Sequence, residues 1–284
     1  MAYRLDQFVG VDIGGTKMLL CAEHRGEKID HRVPTGRDMT RERVRAAIEA
    51  FLSTLPFEPL GVGVAVQGLV EGDARLAFTD GMPALIGLSA DELAFGAPRG
   101  ARLINDVRAG LVAESVSHPE VHTLCVVMMG TGVAVGIRSG GQILEGASGW
   151  AGELGNTLIA TEEGVGTVDQ LAGGGAILKR AGCGADELIA RIEAGDTTAT
   201  AIVQRAAFYF GLSLANVIDL FNPDLMVLGG GTLRFPGYRA RALEVTEQYA
   251  LAKPFSLCAF AEPADAYRMA AHGARAFAAQ GAGS

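Results

Sequence analysis

Three glycine clusters, Gly14-Gly15, Gly130-Thr131-Gly132 and Gly229-Gly230-Gly231, each follow directly on a short apolar run. A strand that stops at glycines is one whose backbone turns sharply, and glycine is the residue that permits it. The first instance is Val9-Gly10-Val11-Asp12-Ile13, then Gly14-Gly15, then Thr16-Lys17 and a second apolar run from Met18. This is a hairpin pattern with a hydroxyl and an ammonium beside its turn. Backbone amides released at such a turn can face an anion, and Asp12 opposite them can hold a hydrated Mg²⁺. The plainer reading of the same residues is an ordinary Gly-Gly hairpin. What decides between them is recurrence.

Around residue 123 the opening order returns. A strand over Thr123–Met129 leads into Gly130-Thr131-Gly132, a strand over Val133–Arg138, a turn at Gly140-Gly141 and a third strand over Gln142–Leu144. The opening itself reads as strands over 7–13, 17–23 and 28–33. Gly130 to Gly136 has the glycine spacing of a dinucleotide fingerprint, but that motif must open a helix, and here a β-patterned run follows. Two similar three-stranded openings predict two similar lobes facing across a nucleotide cleft, with the third turn beneath a purine or ribose.

Between these landmarks the periodicity predicts a helix opened by Thr40, with Val44, Ala47, Ile48, Phe51, Leu52 and Leu55 on one face, ended by Pro56. Leu60–Val66 is a continuous apolar strand, as for one buried on both faces. Residues 71–100 yield only a short helix near 90–94. Ala101–Ile104 is a strand closing on Asn105-Asp106, followed by a helix over 107–117. A carboxylate between a strand end and a helix start is placed for work at a cleft, although Asp is also a good N-cap. Glu145–Gly175 reads as a long glycine-rich loop, and long loops in compact proteins are functional or disordered. Helices follow over 185–193 and 198–221, a buried strand over 224–228, a helix over 236–251, an edge strand over 255–259 and a final helix over 267–280.

Bulk composition narrows the class. With 284 residues, two lobes are expected; 49% hydrophobic and 20% charged residues fit a folded protein. A net charge of −8 argues against a nucleic-acid partner. Cys21, Cys125, Cys183 and Cys258 lie far apart, with no zinc or disulfide spacing; Cys183 lies between glycines, and the others read as core thiols of a reducing compartment. His118 and His122 have metal-ligand spacing, but Pro119 between them works against the helix that would give it meaning. The N-terminus carries no signal peptide pattern and no run reaches eighteen apolar residues, so a cytoplasmic protein with no membrane partner is expected.

Taken in order, Asp12-Ile13-Gly14-Gly15-Thr16-Lys17, Asn105-Asp106, Gly130-Thr131-Gly132, Ala151-Gly152-Glu153-Leu154-Gly155 and Asn222-Pro223 with Leu228-Gly229-Gly230-Gly231 resemble the ROK family of repressors, open reading frames and kinases. The resemblance spans residues 8 to 280. It implies the two-lobed α/β fold of the actin/hexokinase superfamily, a duplicated ribonuclease H-like arrangement with an interlobe cleft. The expected small lobe is residues 1–107 plus the helix 267–280, and the large lobe is 108–266. ROK repressors carry an N-terminal helix-turn-helix; here the first strand starts within ten residues, which points to the sugar-kinase branch.

By the same resemblance, Asp106 is the general base that deprotonates a sugar hydroxyl, and Asn105, Gly68, Glu153, Asn156 and Asp169 are sugar contacts. Gly14, Gly15, Thr16 and Lys17 belong to the first phosphate motif, Gly130, Thr131 and Gly132 to the second, and Gly229, Gly230 and Gly231 to the adenosine motif. ATP is the implied nucleotide, Mg²⁺ the implied metal through water on Asp12, and a homodimer the implied assembly. Phosphoryl transfer needs positioning and charge neutralisation, so one base, one Mg²⁺ and oriented amides suffice.

Departures from the family pattern cluster around the sugar. Asn156 stands where a His is usual, and residues 157–172 contain neither Cys nor His, so no zinc site is expected. Asp169 falls where a Glu is expected, and Gln67-Gly68 where Pro-Gly is usual. The expectation is an ATP-dependent kinase for a hexose or a derivative such as an amino sugar, deoxy sugar or cyclitol. The alternatives are a catalytically silent sugar-sensing regulator, or an acetate-kinase-like phosphotransferase of the same superfamily.

Overall fold

The computed structural model describes residues 5–280. Its first half runs β1 (Phe8–Ile13), β2 (Lys17–His24), β3 (Glu27–Pro34), α1 (Arg41–Ser53), β4 (Gly61–Val66), β5 (Leu69–Glu71), β6 (Arg75–Phe78), β7 (Ala101–Asn105) and α2 (Asp106–Ser117). Then come β8 (Thr123–Met129), β9 (Val133–Ser139), β10 (Gln142–Ile143), β11 (Leu158–Thr161), β12 (Gly164–Thr167), α3 (Val168–Ala172), α4 (Gly174–Ala181) and α5 (Ala185–Glu193). The chain closes with α6 (Thr197–Phe221), β13 (Leu225–Gly229), α7 (Tyr238–Tyr249), α8 (Ala252–Leu257), β14 (Ala259–Ala261) and α9 (Met269–Gln280).

These elements form two compact units. The first comprises residues up to Pro119, Glu145–Trp150 and the chain from Ala264 on; the second comprises Glu120–Leu144 and Ala151–Pro263. Helix α2 and helix α9 therefore both belong to the first unit.

The first unit is built on the sheet β3-β2-β1-β4-β7. β1 and β2 form the antiparallel hairpin that Gly14-Gly15 closes, and β4 and β7 then add in parallel. β1 and β4 are buried almost throughout, as strands covered on both faces must be. On one face α1 lays Val44, Ile48 and Phe51 against the sheet, started by Thr40, whose side chain accepts from the Arg43 amide. On the other, α9 lies against β1, β4 and α2 so closely that glycines are required at the seam. A Cβ on Gly10 or Gly63 would collide with the carbonyls of Ala271 and Ala274, and one on Gly273 with that of Ala109.

The second unit repeats the plan in the sheet β10-β9-β8-β13-β14. β8 pairs antiparallel with β9 and parallel with β13. Its core gathers around α6, which buries Val203, Phe210, Leu214 and Ile218 against the sheet and the other helices. α6 is long and apolar enough to span a membrane by length and composition, and most of it is buried inside this unit, which makes it a core helix. Cys21, Cys125 and Cys258 are buried thiols, and Cys183 is half-buried.

Three stretches differ from the sequence expectation. Residues 145–175 are not one loop: Leu158–Thr161 and Gly164–Thr167 pair as a hairpin, and α3 and α4 follow. A capping box starts α3, Thr167 accepting from the Gln170 amide while the Gln170 side chain accepts from the Thr167 amide. Residues 71–100 contain β6, whose partner β5 is only three residues long and leaves too short a pattern to detect. The expected edge strand over 255–259 is instead α8 followed by a three-residue strand, because Phe255 and Phe260 are both drawn onto the α6 core from different elements.

Candidate active site

In the first unit the chemistry-bearing residues lie at the C-terminal ends of β1 and β7. The β1–β2 turn is closed by the Gly14 amide donating to the Lys17 carbonyl at 3.0 Å, and Thr35 braces it, its hydroxyl donating to the Gly14 carbonyl at 2.6 Å. No other atom comes within 4 Å of a Cβ built on Gly15, so this side of the turn is open. Lys17 sets its ammonium over the Tyr267 ring, 4.7 Å from the centroid, which holds the charge beside the turn.

Asp12, at the end of β1, is partly buried. Burial, then the negative charge of Asp106, raise its carboxyl to about 7, against a smaller lowering by Lys17. A partly buried carboxylate with a second negative charge nearby is a natural seat for a hard divalent cation. Among the described residues no group of three or more His, Cys, Asp or Glu is gathered, so Mg²⁺ held here would complete its shell with water and phosphate oxygens.

Asn105 ends β7 and caps α2. Its Oδ1 accepts from the amides of Val107 and Arg108 at 3.0 and 3.2 Å, and its Nδ2 donates to the Gly68 carbonyl at 3.0 Å. The cap is therefore Asn105, and Asp106 is the first residue of the helix, its Oδ1 accepting from the Val107 amide at 3.0 Å. This overturns the reading of Asp106 as the N-cap. Gly68 adopts φ +121°, and a Cβ there would collide with the Phe78 carbonyl, so the β5–β6 hairpin and Asn105 together fix this corner.

Thr79, on the same corner, was not singled out from sequence. It is buried, and its hydroxyl has no hydrogen-bond partner within the protein. Its only sequence signal is the position after a short strand.

In the second unit two glycine turns adjoin. The Gly130 carbonyl accepts from the Gly174 amide at 2.9 Å and from the Thr232 hydroxyl at 2.8 Å, and the Thr131 carbonyl accepts from the Gly175 amide at 3.0 Å. Gly230 adopts φ +109°, and a Cβ on it would collide with the Met129 carbonyl. Gly130, Thr131 and Gly231 remain exposed on this rigid base. Thr232 is the link between the two turns, and the spacing of glycines gives no hint of it.

Asp169, at the start of α3, accepts the Val133 amide at 2.6 Å through Oδ1. Its carboxylate is wedged between Gly132 and Gly155: a Cβ on Gly132 would stand 2.9 Å from it, and one on Gly155 would collide with it. Burial raises its carboxyl and the Val133 hydrogen bond opposes that. Glu153 and Asn156 are exposed and paired, Asn156 Nδ2 donating to Glu153 Oε2 at 3.2 Å. An amide can thus hold the Glu153 carboxylate at a position where the family pattern has His.

His118 and His122 have separate partners. His118 stands 3.6 Å from the buried Glu114 carboxylate, and His122 Nδ1 is 3.2 Å from the Thr123 hydroxyl.

Comparison with known proteins agrees with the order of these motifs. The sequence model of the ROK family matches residues 8–280. The N-acetyl-D-glucosamine kinase of Shigella flexneri is 30% identical over 269 residues, covering 81% of this chain and 85% of that protein. Among solved structures, a ROK family glucokinase from Streptomyces griseus in complex with glucose and AMPPNP superposes with a TM-score of 0.77 at 21% identity, over 96% of this chain and 99% of that one. A ROK family transcriptional regulator, a homologue of the E. coli MLC protein, superposes equally well, TM-score 0.77 at 21% identity, over 96% of this chain and 77% of that one.

Proposed function

The chain belongs to the ROK family, with its actin/hexokinase-type fold, and on that premise we propose that it is an ATP-dependent sugar kinase. Its reaction moves the γ-phosphoryl group of ATP to a hydroxyl of a hexose or hexose derivative. The fold alone does not choose between kinase and regulator, since both superpose on it. The observation that carries the kinase reading is the named activity of the 30% identical relative, and Asp12 at the end of β1 and Asp106 at the start of α2 supply the carboxylates such a reaction needs.

In this reading Asn105 fixes the start of α2, and Asp106 accepts the proton of the acceptor hydroxyl as that oxygen bonds to the γ-phosphorus and the β–γ bridging oxygen leaves with ADP. The open amide side of Gly14-Gly15 and the exposed Gly130-Thr131 backbone bind phosphate oxygens. Gly229-Gly230-Gly231 carries the adenosine end, and Glu153, Asn156 and Gly68 hydrogen-bond the sugar. Asp169 acts through the backbone it holds. Asp12 would hold Mg²⁺, which when bound would neutralise phosphate charge. The substrate set consistent with the altered sugar corner is an amino sugar, deoxy sugar or cyclitol; the cellular setting is the cytoplasm and the assembly a homodimer.

A coupled ADP-release assay over a panel of hexoses, N-acylated amino sugars, deoxy sugars and cyclitols tests the reading. Sugar-dependent ADP release that requires Mg²⁺ is expected. Saturable sugar binding by calorimetry with no ADP release from any panel member would instead make the chain a sensor.

A further inference from the structure

The first unit carries a pair of exposed aromatic rings that the reaction described above does not use. Trp150 is 46% and Phe78 42% exposed, and their ring centroids are 6.0 Å apart with the planes tilted by 53°. Exposing large rings side by side on water is unfavourable, and the segment that does so is not left loose. Arg108, in the first turn of α2, donates to the Gly149 carbonyl at 2.7 Å and to the Glu145 carbonyl at 3.3 Å, and its guanidinium also faces the Glu145 carboxylate at 3.9 Å. On the other side, Gly149 adopts φ +84° and packs against Leu69, whose register partner across the β5–β6 hairpin is Phe78.

These contacts close a circuit. Asn105 holds Gly68; Gly68 leads into Leu69 and Phe78; Phe78 meets Trp150; Trp150 follows Gly149; Gly149 is tied by Arg108, whose own amide Asn105 caps. Asp106 lies between Asn105 and Arg108 on that circuit. Within the circuit Arg108 is engaged with carbonyls and Asn105 with Gly68 and the helix, and the exposed surface it carries at Trp150 and Phe78 is aromatic.

We propose that Trp150, with Phe78 at its edge, is a stacking platform for the apolar C–H face of a ring-closed acceptor sugar, and so a specificity-determining element of the site. This rests on the reading of Asn105 and Asp106 as the acceptor end. One face of a pyranose presents several C–H groups and little hydrogen-bonding capacity, which matches an aromatic face backed by satisfied polar groups; an aromatic contact of this kind is amphipathic and oriented. An open-chain polyol has no such face. The platform would therefore select cyclic acceptors over acyclic ones bearing the same hydroxyls, and orient the ring so that one hydroxyl meets Asp106.

Trp150 is the single tryptophan of the chain, so its fluorescence reports on the platform without any need for turnover. Titration of the intact protein with the best sugar of the panel should shift or quench its emission saturably, at the same midpoint that calorimetry gives, and the matching acyclic polyol should leave it unmoved. Trp150→Ala should raise the sugar KM about three- to tenfold, leave the KM for ATP and kcat little changed, and be rescued in large part by Trp150→Phe. A loop with only a structural role would move kcat and both KM values together. Calorimetric sugar binding with unaltered Trp150 emission, or a Trp150→Ala variant with an unchanged sugar KM, overturns the platform while leaving the kinase reading intact. Absence of sugar binding altogether overturns both.

Discussion

The sheets β3-β2-β1-β4-β7 and β10-β9-β8-β13-β14 are the same design executed twice, a three-stranded antiparallel meander extended by two parallel strands, yet their glycine turns are held in opposite ways. The turn after β1 is open on its Gly15 side and sits among charged side chains: Asp12, Asp106 and Lys17. The turn after β8 is stitched by backbone to the N-terminus of α4 and by Thr232 to the turn after β13, and its one nearby carboxylate, Asp169, is spent on the Val133 amide. Duplication supplied two equivalent frames. One was equipped with titratable groups, the other with a rigid lattice of amides and carbonyls. Phosphoryl transfer asks for both, a place where protons and metal charge are managed and a place where anionic oxygens are merely held.

If this division is right, substitutions in the two frames fail differently. Asp106→Asn keeps the shape of the α2 start and deletes the base, so turnover should fall about 10²- to 10⁴-fold while calorimetric sugar binding persists. An equal loss of sugar binding would show that Asp106 acts in binding. Next in size is Gly230→Ala, which forces a Cβ onto the Met129 carbonyl at φ +109° and should cost about 2–4 kcal/mol in chemical denaturation. The matched change Gly15→Ala meets no atom within 4 Å and should cost under about 1 kcal/mol, although it narrows the approach of a phosphate. Equal costs at the two positions would erase the contrast.

Asp169→Glu adds a methylene where Gly132 and Gly155 leave no room, and should destabilise by about 1–3 kcal/mol; Asp169→Asn keeps an acceptor for the Val133 amide and should cost less. Thermal melts of the two variants read the order directly. A last effect concerns Asp12 in metal-free protein. Its folded carboxyl is raised from 3.8 to about 7, so between these values the folded state holds the proton more tightly than the unfolded chain does. Stability therefore declines as pH rises toward about 7, and Asp12→Asn should flatten that slope and gain about 1 kcal/mol at pH 8 while losing Mg²⁺-dependent turnover. A variant that melts in parallel with the parent from pH 5 to pH 8 would remove the charged-frame argument.

Much of this was legible before any coordinates. Apolar runs ending in glycine located β1, β8 and β13, and the repeated hairpin revealed the duplication, because strand periodicity and turn chemistry are local properties. Asn105, Asp106 and Asp12 were found by their place at strand ends. What sequence could not supply was partnership. Asp169 was read as a sugar contact, and its bond to Val133, thirty-six positions earlier in the chain, could not be seen in the sequence. Thr232 and Arg108 serve by tying segments distant in sequence, and nothing in their neighbours marks them. β6 and α8 were lost for a different reason, since three- to six-residue elements carry too few side chains to establish a period.

The seam of Gly10, Gly63 and Gly273 has a consequence for how the protein is made. It admits α9, the last helix among the described residues, against the middle strands of a sheet whose first strand begins at Phe8. A ribosome delivers every residue of the second unit before α9 emerges, so that unit is free to fold first, while the first sheet waits with its inner strands uncovered on one side. Burial of β1 and β4, and with it the fixed position of Asp12, thus waits until α9 has been made. A chain lacking Met269–Gln280 would carry every proposed site residue on a sheet that had never been closed.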